Sequence, residues 1–223
     1  MQVALANLPF LLSAALVTLG YAAGSMVPGF LIGLLTALAR LSRFGLLRGV
    51  ARVYVSLIRG TPLLVQIYVM YYVLPDVLQS IPGLQNFDLG PLLSGLIALS
   101  LNVGAYVSEA LRGAFLAVPG GQREAAQALG LNSWQTFRFV VAPQALRIAV
   151  PALGNSFIGL VKDTSLVSVI TVVELLQQAN LIIARTFRPT PIYLTVALIY
   201  WVISTVLALG LRRIEDRLSR GRA

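Results

Sequence analysis

The chain has 223 residues, of which 57% are hydrophobic and only 11% are charged, and its mean hydropathy is +0.83. Soluble domains usually carry about 25% charged residues, so this composition predicts a polytopic membrane protein. Cys and His do not occur in the sequence, which excludes disulfides, Cys nucleophiles, His bases and ordinary zinc sites.

Five segments are apolar enough to cross a bilayer, which takes about 20 residues of helix. They lie near residues 12–39, 53–74, 91–111, 148–171 and 191–211. The sequence therefore predicts an all-α polytopic protein with five transmembrane helices in a single membrane domain, 1–223.

The basic residues predict the orientation of these spans. Of the 17 Lys and Arg residues, 13 follow the first span, lie between the third and fourth, or follow the fifth. These are Arg40, Arg43, Arg48, Arg52, Arg112, Arg123, Arg138, Arg147, Arg212, Arg213, Arg217, Arg220 and Arg222. The opposite loops carry Arg185 and Arg188 with Asp76, Asp88 and Glu174. The positive-inside rule then predicts an outer N-terminus and a cytoplasmic C-terminus. We expect the basic tail to contact anionic lipid headgroups rather than nucleic acid.

The segment 119–143 contains more structure than a simple connection needs. Helix-forming residues run from Gln122 to Leu129, and Gly130 suits a left-handed C-terminal cap. Asn132 and Gln135 have the spacing of a capping box for a second short helix, expected to reach about Val140. Pro143 is expected to stop or kink the chain before the fourth span.

The same segment resembles the signature of ABC importer permeases. That signature is Glu-Ala-Ala, three residues, Gly, nine residues, Ile, one residue and Leu-Pro. Here Val140 stands for Ile and Ala142 for Leu, and the spacing is intact. The other matching positions are Glu124, Ala125, Ala126, Gly130 and Pro143. Residues 59–66, 105–109 and 162–166 resemble further motifs of the polar amino-acid uptake branch, so the likeness covers about residues 10–212.

The resemblance implies a type I importer permease fold in the cytoplasmic membrane of a prokaryote. It also implies a second permease chain, an extracytoplasmic amino-acid-binding protein, and ATPase subunits that dock on residues 124–130. The chain is not expected to be an enzyme or to bind a cofactor or metal itself. A phosphate-binding loop needs Gly-Lys after its four variable residues, but Leu160 follows Gly159 here. ATP and Mg would therefore be held by the partner ATPase.

Ionisable residues within the spans are candidate functional groups, because charges inside a bilayer usually face a partner or a cavity. Glu109 is expected to pair with Lys162 or Arg112, and Asp163 to approach the solute pathway. Such a carboxylate would favour a cationic amino acid. The candidate pathway residues are Gln66, Asn102, Glu109, Asp163, Thr164 and Ser165. The candidate structural or gate residues are Arg59, Gly60, Pro62 and Lys162.

Two other classes of protein are open on the residues alone. The first is an ATP-independent channel or carrier for small polar solutes, although the inverted repeats of many carriers are not evident. The second is a membrane enzyme, but without His, Cys or clustered carboxylates its catalytic residues are few. An ATP-driven importer subunit for a polar amino acid, working by alternating access, is the favoured hypothesis.

Overall fold

A computed structural model describes residues 2–219, and within that range every regular element is a helix. We number the helices α1 Gln2–Leu41, α2 Gly45–Gly60, α3 Leu63–Gln79, α4 Gly90–Ala117, α5 Gly120–Ala128, α6 Ser133–Ile170, α7 Leu175–Thr186 and α8 Pro189–Ser219. The predicted all-helical membrane fold is confirmed. Arg220 and Arg222 of the basic tail lie outside the described residues.

Four helices, α1, α4, α6 and α8, are each long and apolar enough to cross a membrane. The second predicted span, 53–74, is not one helix. It covers parts of α2 and α3, which meet at a bend of 108°. The fourth span begins at Ser133 rather than near 148, and α7 was not predicted.

Helices α1 and α4 form the centre of the bundle and pack in parallel through small residues. A Cβ atom added at Gly33 would lie 2.7 Å from Val107 Cβ and 2.9 Å from Gly104 O. One added at Gly104 would lie 3.1 Å from Gly29 O. Glycines four residues apart let membrane helices approach closely. The pair Gly29 and Gly33, which was not used as a sequence signal, therefore sets the separation of α1 and α4.

A second group of contacts joins the N-terminal half of α1 to α7 and α8 around Glu174. This carboxylate is completely buried, although its place in the sequence predicts a loop. It accepts hydrogen bonds from Gln177 N at 2.9 Å, Tyr200 Oη at 2.8 Å and Thr18 Oγ1 at 3.4 Å. The sequence pattern does not show this role, because the two side-chain partners, Tyr200 and Thr18, are 26 and 156 residues away along the chain.

Replacing Gly33 with Ala should lower the thermal stability of the detergent-purified protein. The added methyl would force α1 and α4 apart, and overpacking of this kind typically destabilises by about 1–3 kcal/mol. Gly20→Ala is the matched control, because a Cβ atom at Gly20 meets nothing within 4 Å. Equal melting temperatures for the two variants would contradict the close approach.

Candidate functional site

The break between α2 and α3 is caused by Thr61 and Pro62. Pro62 has no N–H, and its ring excludes the preceding residue from helical geometry. Thr61 is accordingly extended, with φ −120° and ψ 146°. Without that N–H, the carbonyl of Ile58 loses its helical partner and needs another donor.

Gln66 supplies the missing donor. Its Nε2 lies 2.7 Å from Ile58 O, 2.9 Å from Thr61 Oγ1 and 3.1 Å from Thr61 O. Its Oε1 accepts a hydrogen bond of 2.9 Å from Asn102 Nδ2 on α4. Gln66 therefore satisfies the broken helix end and fixes it to α4, and its polar atoms are occupied by protein groups.

A cavity of about 650 Å³ lies beside this break. Its walls are formed by the break, α4 and α6. Its lining residues are Thr61, Pro62, Leu63, Asn102, Val103, Tyr106, Ala152, Asn155, Ser156, Gly159, Leu160, Asp163 and Leu166. Asn102 and Asp163, both expected along the solute pathway, are thus brought together although 61 positions separate them in the sequence.

The cavity is also lined by three polar residues that were not predicted, Tyr106, Asn155 and Ser156. Asn155 and Gly159 precede Asp163 at intervals of four on α6, so these three positions share one helix face. Ser156 lies on the same side, and Tyr106 lines the cavity from α4. A polar stripe at helical spacing in an otherwise apolar span was a readable signal for this face.

The other candidates near Asp163 lie in different surroundings. Lys162 is exposed and does not line the cavity, as expected for neighbours about 100° apart on a helix. Thr164 is fully buried, and its Oγ1 donates to Val161 O at 2.8 Å within its own helix. Ser165 is half-buried and is not among the lining residues. Of these two neighbouring charged residues, Asp163 alone is among the residues that line this cavity.

Glu109 lies outside the cavity, in a cluster with three arginines from three helices. Its carboxylate is 2.6 Å from Arg40 on α1, 3.0 Å from Arg112 on α4 and 3.6 Å from Arg59 at the end of α2. The expected pairing with Arg112 is present, whereas none of the described ion pairs joins Glu109 to Lys162. Arg59 also lies over the Tyr106 ring, 5.2 Å from its centroid, and so connects the cluster to the cavity wall.

Helix α5 begins immediately after α4 and contains the segment expected to contact an ATPase. Glu124 and Ala125 are exposed, whereas Ala126 is 4% exposed and packs against the rest of the chain. Arg123 Nη2 donates to Phe115 O at 2.7 Å, which fixes α5 to the end of α4. Arg123 and Ala126 therefore hold α5 against the rest of the chain, while the side of α5 that carries Glu124 and Ala125 is exposed.

The corner after α5 has the predicted geometry. Gly130 has φ +84°, a left-handed conformation that favours glycine. Asn132 and Gln135 form both hydrogen bonds of a capping box, each 2.9 Å long. Leu129 and Trp134 are 85% and 64% exposed on either side of the corner. The sequence therefore predicted the local structure of this segment closely.

Pro143 was expected to stop or kink the chain, but it does not stop it, because α6 continues from Ser133 to Ile170. The residues before the proline, Thr136–Val141, form a π-helical stretch. A wider turn gives room for the proline ring near the carbonyl four residues earlier, so the helix can continue. The corner at Gly130 is for this reason directly joined to the helix that lines the cavity.

The chain matches the family described as binding-protein-dependent transport system inner membrane component over residues 29–220. The chain belongs to this family. The predicted resemblance to ABC importer permeases is thereby confirmed, and the protein is a multi-pass inner-membrane permease. As a permease it is a transport component rather than an ATPase.

Curated relatives of this permease are similar over almost their whole length. The L-cystine transport system permease protein TcyB of Bacillus subtilis (strain 168) is 46% identical over 197 residues, which are 88% of this chain and 81% of TcyB. The glutamine transport system permease protein GlnP of Escherichia coli (strain K12) is 40% identical over 211 residues, 95% of this chain and 94% of GlnP. The arginine ABC transporter permease protein ArtQ of Haemophilus influenzae (strain ATCC 51907 / DSM 11121 / KW20 / Rd) is 37% identical over 213 residues, 96% of this chain and 95% of ArtQ.

Solved transporters share the permease fold. A chain from the crystal structure of an amino acid ABC transporter with histidines superposes with a TM-score of 0.87 at 35% identity, covering 96% of both chains. A chain of the MetNI methionine ABC transporter in an inward-facing conformation superposes with a TM-score of 0.77 at 22% identity, covering 93% of this chain and 95% of its own. At that identity the second likeness shows the fold alone.

Replacing Gln66 with Met should destabilise the permease. The substitution removes the donor to Ile58 O and the acceptor for the Asn102 amide, and an unsatisfied buried group typically destabilises by about 1–3 kcal/mol. Gln79→Met is the control, because the Gln79 side chain is exposed and makes one hydrogen bond, to Phe87 O. Thermal unfolding in detergent should show a lower melting temperature for Gln66→Met alone. Similar losses in both variants would contradict the role of Gln66 at the break.

Proposed function

We propose that this permease carries a polar amino acid through the cavity beside the α2–α3 break, driven by ATPase subunits that bind α5 and the following corner. The observation that carries the proposal is the cavity itself. It presents the Asp163 carboxylate and the Asn102 and Asn155 amides between apolar spans. A zwitterionic solute needs such groups to replace its lost hydration.

The relatives support an amino-acid substrate, since the names of three of them specify L-cystine, glutamine and arginine. All three solutes carry an ammonium group that a carboxylate can pair with. Because Asp163 lines the cavity and Lys162 does not, the cavity wall carries a negative group that favours a cationic amino acid. We therefore propose that Asp163 contacts the cationic part of the solute.

The proposed coupling follows the covalent and packing connections of α5. Arg123 fixes α5 to α4, and the corner at Gly130 leads directly into α6. Both α4 and α6 line the cavity. A force applied to the exposed face around Glu124, Leu129 and Trp134 would therefore move two walls of the cavity, as alternating access requires. ATP and Mg would be bound by the partner subunit.

The remaining partners follow from the same arrangement. A second permease chain, identical or related, would complete the pathway, and an extracytoplasmic binding protein would deliver the solute. We propose an outer N-terminus and a cytoplasmic C-terminus. The parallel packing of α1 and α4 supports this orientation, because it places the Arg40 and Arg112 ends of these helices together at Glu109.

The function is tested by reconstituting the permease in proteoliposomes with and without its ATPase subunit and amino-acid-binding protein. We expect uptake of one amino acid only when both partners and ATP are present. Uptake of the same solute by the permease alone would instead support an ATP-independent channel or carrier, an alternative that the relatives do not favour.

Replacing Gly130 with Pro should abolish ATP-coupled uptake. Proline cannot adopt φ +84°, and it also removes the Gly130 N–H that donates to Gln127 O at 2.9 Å. Gly120→Pro is the matched control at the other end of α5, where the first helical position accepts proline. Uptake and ATP hydrolysis by the assembled transporter should fail for Gly130→Pro and persist for Gly120→Pro. Normal uptake by a well-expressed Gly130→Pro variant would falsify the coupling role.

Replacing Asp163 with Asn should change selectivity by charge. We expect uptake of arginine to fall about tenfold relative to glutamine, the effect of losing about 1.4 kcal/mol of attraction. Lys162→Gln, which changes the adjacent exposed charge, should leave the ratio unaltered. Competition between the two labelled solutes in the reconstituted transporter measures this ratio. An unchanged ratio in Asp163→Asn would show that Asp163 does not select for charge.

A further inference from the structure

Helix α2 carries a hydrophobic stripe that is open to its surroundings. Leu46, Val50, Val53 and Leu57 are between 58% and 81% exposed. They recur at intervals of four, three and four residues, so they lie within about 60° of one another on the helix. The opposite side contains Ala51 and Val55, which are 7% and 5% exposed and pack on the bundle. The stripe therefore points away from the protein.

Two arginines of α2 share a different face. Arg48 and Arg52 project within about 20° of Arg59 on the helix, and at least about 100° from every residue of the stripe. Arg59 reaches Glu109, eight residues before the end of α4 at Ala117. Tyr54, on another side, donates to Leu101 O near the middle of α4 at 2.6 Å. The arginine face is thus directed toward the α5 end of the bundle and the Tyr54 side toward its middle.

The bend prevents α2 from acting as the first half of a straight span. With 108° between α2 and α3, α2 lies across the bundle instead of along it. The inner corner of the bend is an apolar notch of about 170 Å³, with Leu57, Val65 and Met70 among its lining residues. An apolar notch of this kind holds hydrocarbon better than water. An amphipathic helix in this position matches the geometry of helices that lie in a membrane interface.

We propose that α2 is an interfacial helix that binds anionic phospholipid of the cytoplasmic leaflet. The stripe would contact acyl chains, and Arg48 and Arg52 would bind headgroup phosphates through their planar guanidinium groups. Both arginines lie outside the Glu109 cluster, in which Arg40, Arg59 and Arg112 are the described partners. The proposal rests on the orientation proposed above. Because α2 ends at Gly60, next to the break, a lipid bound there contacts the helix that leads to the cavity.

The first test measures stabilisation by lipid of the purified, full-length permease in detergent. Phosphatidylglycerol should raise the melting temperature more than phosphatidylcholine with the same acyl chains. The double variant Arg48→Gln/Arg52→Gln should lose at least half of that difference. The control Arg185→Gln/Arg188→Gln removes the same charge from the last turn of α7 and from the connection to α8. This control should retain the full difference between the two lipids. The proposal is overturned if Arg48→Gln/Arg52→Gln keeps the full difference in melting temperature between the two lipids. It is also overturned if both lipids raise the melting temperature of the unmodified permease equally.

The second test measures the depth of α2 in vesicles of phosphatidylethanolamine and phosphatidylglycerol. The sequence has no cysteine, so single-cysteine variants can be spin-labelled without background. A label at Val50→Cys should be relaxed more by oxygen than by a water-soluble nickel complex, and a label at Arg52→Cys the reverse. Disulfide formation between copies through Val50→Cys, with low oxygen access, would assign the stripe to a permease–permease contact and overturn the lipid assignment. Neither test depends on uptake, so failure here is distinguishable from failure of the transport proposal.

Discussion

A backbone carbonyl that loses its helical partner needs another donor, and one wall of the cavity depends on how the chain meets this need at Thr61 and Pro62. The proline frees the carbonyl of Ile58, and Gln66 donates to it. The same side chain accepts from Asn102 on α4. A non-helical corner can thus exist beside a cavity without an unsatisfied polar group. The bend of 108° that results gives the cavity one wall and turns α2 across the bundle.

Charge neutralisation organises the end of the bundle nearest α5. Glu109 alone is shared by Arg40, Arg59 and Arg112, which belong to α1, α2 and α4. A single carboxylate in contact with three helices links their positions, because movement of one arginine changes the field at the other two. At the other group of contacts, Glu174 joins α1, α7 and α8 through neutral donors only, among the described hydrogen bonds. The two carboxylates join two groups of helices that have α1 in common.

The sequence predicted best where the physical cause is local. Gly130 takes the left-handed conformation because its neighbours end a helix there, and Asn132 caps the next one three residues from Gln135. Both causes lie within a few residues, so spacing was sufficient. Asn102 and Asp163, which the sequence predicts along the solute pathway, both line the cavity, and their contact with a solute stays a prediction.

Local spacing was not sufficient where a distant residue supplied the partner. The polar atoms of Gln66 are bonded to Ile58, Thr61 and Asn102, and Asn102 lies 36 residues away along the chain. Glu174 lies in the connection between α6 and α7, as its place in the sequence indicates, but Thr18 and Tyr200 bury it. For both residues the residue type was informative, but the partner was not visible from local spacing.

By itself the sequence determined the class of protein, the apolar spans, the side rich in arginine and the local form of the segment 119–143. Composition and short-range periodicity are sufficient for these, because water, lipid and neighbouring residues act on each segment separately. Only the tertiary structure decided that Asp163 lines the cavity whereas Lys162 does not, and that Glu109 is shared by three arginines. Those outcomes depend on which helices meet, and helix contacts are set by close packing at glycines such as Gly33 and Gly104, far apart in the chain.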